Sequence, residues 1–165
     1  MEEIIIEDTN ETKNDFICRD GIDDALQSEL VKSDILILPK RNFREEVPFC
    51  FPERTGEIFG FLKTELAKTG NTIDLAVSDD EYKEIELHDF WVYLPDLYIQ
   101  NQIFLPLMIN LLSNWVYDKF TKNPTMKEEP KVKFSTTVAT AKGNKKIKFE
   151  GNNKSFKHLM DKIKL

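Results

Sequence analysis

Residues 103–117 are the least polar stretch of the chain: Ile103, Phe104, Leu105, Leu107, Met108, Ile109, Leu111, Leu112, Trp115, Val116 and Tyr117 all fall within it. On a helix these residues cover more than one face. A helix apolar nearly all round is buried, meets a partner, or enters a membrane. Asn110, Ser113 and Asn114 interrupt the run well before the roughly 18 apolar residues that a span needs, so no membrane span is expected. Pro106 removes a backbone donor only in the first turn, where the loss is cheap. With 165 residues, 41% of them hydrophobic, the chain is large enough to bury such a helix in one domain. Two readings follow. Either the helix, reaching about Phe120, is central and packs between a sheet and a hairpin, or its second side forms a partner or oligomer interface. The second reading nominates Phe104, Met108 and Trp115, with the aromatic stretch Trp91 to Tyr93 beside them.

Upstream, Glu3–Glu7 is a β-branched run that reads as a strand, and 8–15 is polar and reads as a loop. Asp20 suits an N-cap for a helix over 21–32, in which Ile22, Leu26, Leu30 and Val31 recur at helical spacing. The run Asp34–Leu38, stopped by Pro39, reads as a strand buried on both faces. A loop is expected over 39–52, then a helix from Pro52 to Gly70 and a strand over 72–77. This βαβαβ order favours a parallel arrangement of the three strands. Ile85–His88 alternates like a half-exposed strand, Trp91–Leu94 continues or partners it, and Pro95-Asp96 turns the chain. Residues 131–140 and 146–150 form the arms of a hairpin around Lys142-Gly143-Asn144-Lys145, and Asn152 or Asn153 caps a last helix. The expectation is one α/β domain over 1–165, α+β in its C-terminal part, with a mixed sheet and possible sub-units 1–93 and 94–165.

Charge is unevenly spread. The chain carries net −6, yet residues 121–165 hold 12 lysines against 4 acids, leaving −14 over the first 120 residues. Such a split suggests nucleic acid, a membrane surface or an acidic partner. Lys142, Lys145 and Lys146 are the candidate nucleic-acid contacts. The tail has no arginine to clamp phosphate, and Phe134, Phe149 and Phe156 occupy core-facing positions rather than a stacking platform. Docking of the basic segment on the acidic one, within the fold or in an oligomer, is the simpler expectation.

Chemistry has thinner support. Asp79 and Asp80 end the strand that holds Asp74 and, with His88 and Asp89, form the one cluster resembling a metal or acid–base site. Ligands of open α/β sheets bind at such strand ends, and this donor set would suit magnesium or manganese with a phosphodiester substrate. Ser78-Asp79-Asp80-Glu81 is equally an ordinary helix start, and acids are abundant throughout. No cofactor or metal is therefore assigned, and the phosphodiesterase stands as an alternative function. Cys18 and Cys50 are too few for a zinc site or a disulfide framework and read as small hydrophobes. The two histidines are His88 and His158, no nucleophile elbow occurs, and Gly56-x-x-x-Gly60 is no phosphate loop. The acidic start, Met1-Glu2-Glu3, is no signal peptide, so a cytoplasmic location with both thiols reduced is expected.

Leu105-Pro106, Asn110-Leu111-Leu112, Lys148-Phe149-Glu150-Gly151 and Phe156-Lys157-His158-Leu159 run in an order of apolar helix, lysine-rich hairpin and short helix. Over this C-terminal part, less than half of the chain, the sequence resembles the small accessory components encoded beside effectors in bacterial conflict and antiphage systems, including the effector-associated constant component group. The resemblance implies a non-enzymatic regulatory or assembly subunit with a protein partner, and it carries no catalytic residue. Nucleic-acid binding through the lysine-rich tail is the third reading.

Overall fold

A computed structural model describes residues 2–44, 47–87, 90–121 and 129–165. Along the chain run β1 (Glu3–Asp8), α1 (Lys13–Ile17), α2 (Asp24–Leu30), β2 (Ile35–Leu38), β3 (Lys40–Arg44), β4 (Val47–Pro52), α3 (Thr55–Ala67) and β5 (Ile73–Leu75). They are followed by β6 (Glu84–Ile85), β7 (Trp91–Tyr93), β8 (Asp96–Ile99), α4 (Leu105–Val116), β9 (Lys131–Thr140), β10 (Gly143–Asn152) and α5 (Asn153–Lys157).

The apolar run β2 lies inside the main sheet, ordered β1-β10-β9-β8-β2-β5, with β7 also paired to β9. All four β2 residues are buried, because the sheet is covered on both sides there. On one face Ile35 and Ile37 pack in a large core with α3, α4 and α5; on the other, Leu36 and Leu38 meet Phe16 of α1, Leu30 of α2 and Ile22 just before α2. The α/β class with a mixed sheet holds. β2 and β5 are parallel as the βαβ pattern requires, whereas β8 lies antiparallel on the other side of β2.

Several local expectations need correction. β1 does not join β2: it forms the far edge, antiparallel to β10, so strands from both expected sub-units interleave in one sheet. The polar segment 8–15 contains the start of α1, where the Thr12 N–H donates to Asp15 Oδ2 at 2.7 Å. The next helix starts later than Asp20, capped by Asp23, which accepts from the Leu26 N–H at 2.8 Å. The expected loop 39–52 is the β3–β4 hairpin, to which β6 adds in parallel. Asp96 does not turn the chain but opens β8, whose Leu97 and Ile99 face one core and Tyr98 the other. Pro95 merely separates two stretches, β7 and β8, that both run parallel to β9.

The hairpin β9–β10 is fully paired from Lys131–Asn152 to Thr140–Gly143, with Gly143 at φ +103°, a conformation suited to glycine at the turn. Val132, Phe134, Ile147 and Phe149 point into the core, where Phe156 of α5 packs at a tilt against both phenylalanines. Asn152 caps α5 by accepting from the Ser155 N–H at 2.7 Å. α4 is central as expected, but the β9–β10 hairpin belongs to the main sheet, so α4 packs between that sheet and α3 and α5, with Ile103 and Tyr117 at its two ends exposed. No helix among the described residues is long and apolar enough to cross a membrane.

Candidate functional site

Among the described residues two open surfaces follow from strand register. Side chains alternate across a strand, so β1, β10 and β9 present a second face opposite the core. One row of that face reads Glu7, Lys146, Thr137, Tyr98, Leu36 across five strands. The next row contains Ile5, Lys148 and Ser135, then Asp96 opposite Leu38. α1 and α2 cover the Leu36, Leu38 and Tyr98 end. β9 and β10 stay bare beside it and floor a cleft of about 360 Å³, walled by Glu11, Phe16 and Pro39 to Arg41. A smaller hollow of about 160 Å³ continues it toward Tyr93, Lys133, Lys148 and Glu150, sharing Lys40 and Asp96.

Asp96 is at the junction of the two hollows. Its side chain is 30% exposed and lies 3.6 Å from Lys40 Nζ. Desolvation raises its pKa, opposed by the positive charges of Lys40, Lys146 and Lys148. Lys146 lies 3.7 Å from Glu11 and Lys133 3.7 Å from Glu150. The Arg41 guanidinium donates to the Asp15 carbonyl at 3.0 Å and lies over the Phe16 ring. Among the described residues Lys148 makes no ion pair, and the Ser135 and Thr137 hydroxyls make no hydrogen bond. The wall is held in place by Lys13, whose ammonium donates to the carbonyls of Val31 and Ser33 and to Gln100 Oε1, each at 2.6 Å. Burial lowers the Lys13 pKa, with Asp34 acting in the opposite direction.

The second surface is the outer edge of β1. The Thr9 N–H donates to the carbonyl of Asn144, its register partner, at 3.1 Å. In an antiparallel ladder bonded pairs alternate, so Glu3, Ile5 and Glu7 bond to β10. The N–H and C=O groups of Ile4, Ile6 and Asp8 therefore point outward, where no described strand meets them. Ile5 is 39% and Ile6 38% exposed. Lys162 holds Glu2 at 2.8 Å and Lys145 holds Asp8, while Glu3 and Glu7 make no ion pair among the described residues.

Of the residues nominated from sequence, Trp91 and Tyr93 are half-buried on the open face, with Lys131 and Lys133 ammonium groups 5.0–5.8 Å from their rings. Phe104 is half-buried against the core and Met108 lies in it, while Trp115, itself buried, lines a hollow of about 250 Å³ together with Trp91 and Tyr93. The charge expectation is met within the fold: the basic tail meets the acidic start through Lys145–Asp8, Lys146–Glu11 and Lys162–Glu2. Lys142, Lys145 and Lys146 do not form one surface. Lys142 lies at the turn, and adjacent Lys145 and Lys146 project to opposite faces. Asp79 and Asp80 lie exposed in a short 3-10 turn, and His88 and Asp89 lie outside the described residues. No group of three metal-ligating side chains occurs among the described residues. Cys18 is exposed and Cys50 buried.

Sequence reading passed over Lys40, Asp96, Lys133 and Lys148, and the outward side of β1. The signal for the lysines was present: Lys131 and Lys133 alternate with Val132 and Phe134, as Lys146 and Lys148 do with Ile147 and Phe149. No family model, curated protein or solved structure matches the chain.

Proposed function

We infer that this protein is a non-catalytic, cytoplasmic interaction module, a regulatory or assembly subunit that adds a strand of a protein partner to β1. The observation that carries the reading is the unpaired outer edge of β1, six residues long, without proline, with Ile5 and Ile6 exposed on its two faces. Such an edge is a template for strand addition, in which backbone bonds give affinity and alternate side chains give specificity. Charge selects the occupant. A second copy of β1 would bring three more acids, Glu3, Glu7 and Asp8, to an edge that already bears them. The favoured partner is an extended segment of another protein with an apolar centre and lysine or arginine at its ends, placed to meet Glu3 and Glu7. The C-terminal resemblance to accessory components supports a bacterial complex, of which antiphage systems are an instance.

The test is affinity capture of the tagged chain from its host after nuclease treatment, in parallel with Ile6→Pro. Proline at position 6 removes an outward donor and leaves the β10 ladder intact. A stoichiometric protein held by the wild type and lost from Ile6→Pro is the expected result. A chain recovered alone, or a partner held equally by both, overturns the reading.

A further inference from the structure

The cleft at Asp96 gathers more positive than negative charge. Five cations converge on it, Lys40, Arg41, Lys133, Lys146 and Lys148, against three carboxylates, Glu11, Asp96 and Glu150. It is a basin of net +2 in a chain of net −6. Ion pairs elsewhere run from 2.7 Å for Lys119–Glu57 and 2.8 Å for Lys162–Glu2 to 3.5 Å for Arg19–Glu81. Within the cleft the three lysine–carboxylate pairs stay at 3.6–3.7 Å, longer than the roughly 2.7–2.9 Å of a charge-assisted hydrogen bond. Lys148, exposed on β10, makes no ion pair among the described residues, although its charge acts on Asp96. Strand register brings Lys133, Lys146 and Lys148 to one face, and none of them is held in a tight pair, so an entering anion gains contacts without first breaking close ones.

The remaining groups restrict the ligand further. The Ser135 and Thr137 hydroxyls and the Asp96 carboxylate line the floor, and Phe16 and Tyr93 give it aromatic walls. A carboxylate among cations repels a bare anion and favours one that also carries a hydrogen-bond donor. The volume, about 360 Å³, is at the small end of the range for small-molecule sites.

We propose that this cleft binds a small phosphorylated polyol of the sugar-phosphate class, its phosphate on Lys148, Lys146 and Lys40 and its hydroxyls on Asp96, Ser135 and Thr137. The site is independent of the β1 edge, so a partner bound there and a ligand bound here succeed or fail separately. The same sugar-phosphate unit occurs free and within single-stranded nucleic acid, and size distinguishes the two sources.

The experiment is calorimetric titration of the full chain at low salt with ribose 5-phosphate, ribose, inorganic phosphate and a single-stranded oligonucleotide. Ribose 5-phosphate should saturate, inorganic phosphate should bind about tenfold more weakly and ribose should give no heat, since phosphate supplies the charge-assisted contacts. Lys148→Ala, an exposed change that leaves the core intact, should weaken ribose 5-phosphate about tenfold, and Lys164→Ala should not. Three results overturn the proposal: no saturable heat with ribose 5-phosphate, saturation unaltered in Lys148→Ala, or saturation by the oligonucleotide alone. Circular dichroism of Lys148→Ala keeps loss of binding distinct from loss of fold.

Discussion

Isoleucines populate both ends of the sheet with opposite outcomes. Ile35 and Ile37 of β2 are fully buried, whereas Ile5 and Ile6 of β1 are each more than a third exposed. Local sequence does not separate them, since Glu3-Ile4-Ile5-Ile6-Glu7 and Asp34-Ile35-Leu36-Ile37-Leu38 are both β-branched or apolar runs behind an acid. Neighbours do. β2 has a strand on each side and helices on both faces, while β1 has one neighbouring strand, and its outward groups are available to something else. An apolar strand is therefore a core element or a docking element according to what the rest of the chain brings to it.

The largest test of that contrast is truncation at each end. Ile37→Ala should cost about 2–5 kcal/mol and Ile6→Ala under about 1 kcal/mol, read from urea midpoints. Equal losses would mean that β1 is covered. Next comes proline scanning within β1. Ile5→Pro breaks a ladder bond and should cost about 1–3 kcal/mol more than Ile6→Pro, whose N–H faces outward. The reverse order would place the opposite parity at the edge.

Lys13→Met tests the cover over the β2 end. It deletes the ammonium that serves three acceptors and should destabilise by about 1–3 kcal/mol, read from thermal melts. A neutral effect would show that α1 and α2 stay down by apolar contact alone.

The smallest effect concerns the bare face, and its sign follows from Asp96. Its folded pKa is raised above the ordinary 3.8, first by desolvation, so the folded state holds this proton to higher pH than the unfolded chain does. Stability should accordingly fall as pH rises from about 3.8 through the raised value, relative to Asp96→Asn, which lacks the titration. Denaturation of both proteins across that range checks it, and parallel curves would refute a desolvated carboxylate in the cleft.

Much of the frame was legible in sequence for local reasons. The unbroken apolar run of β2, the alternation in β9 and β10, the Gly143 turn and the Asn152 cap each depend on near neighbours in the chain. What escaped depends on distant ones. β1 pairs Glu3 with Glu150, a partner that no local pattern names. β8 has only four residues behind Pro95 and begins with an acid, so its central place comes from β2 and β9 on its flanks. The cleft was hidden for the same reason: Asp96, Lys133 and Lys148 belong to three strands set side by side by register, and Lys40 comes from β3 of the second sheet.

Amide hydrogen exchange along β1, resolved residue by residue by NMR, tests the central claim most directly. With the outer edge open, the amides of Ile5 and Glu7 should be protected and those of Ile4, Ile6 and Asp8 should exchange rapidly, in strict alternation. Uniform protection of all five would show the edge already occupied and would contradict the account.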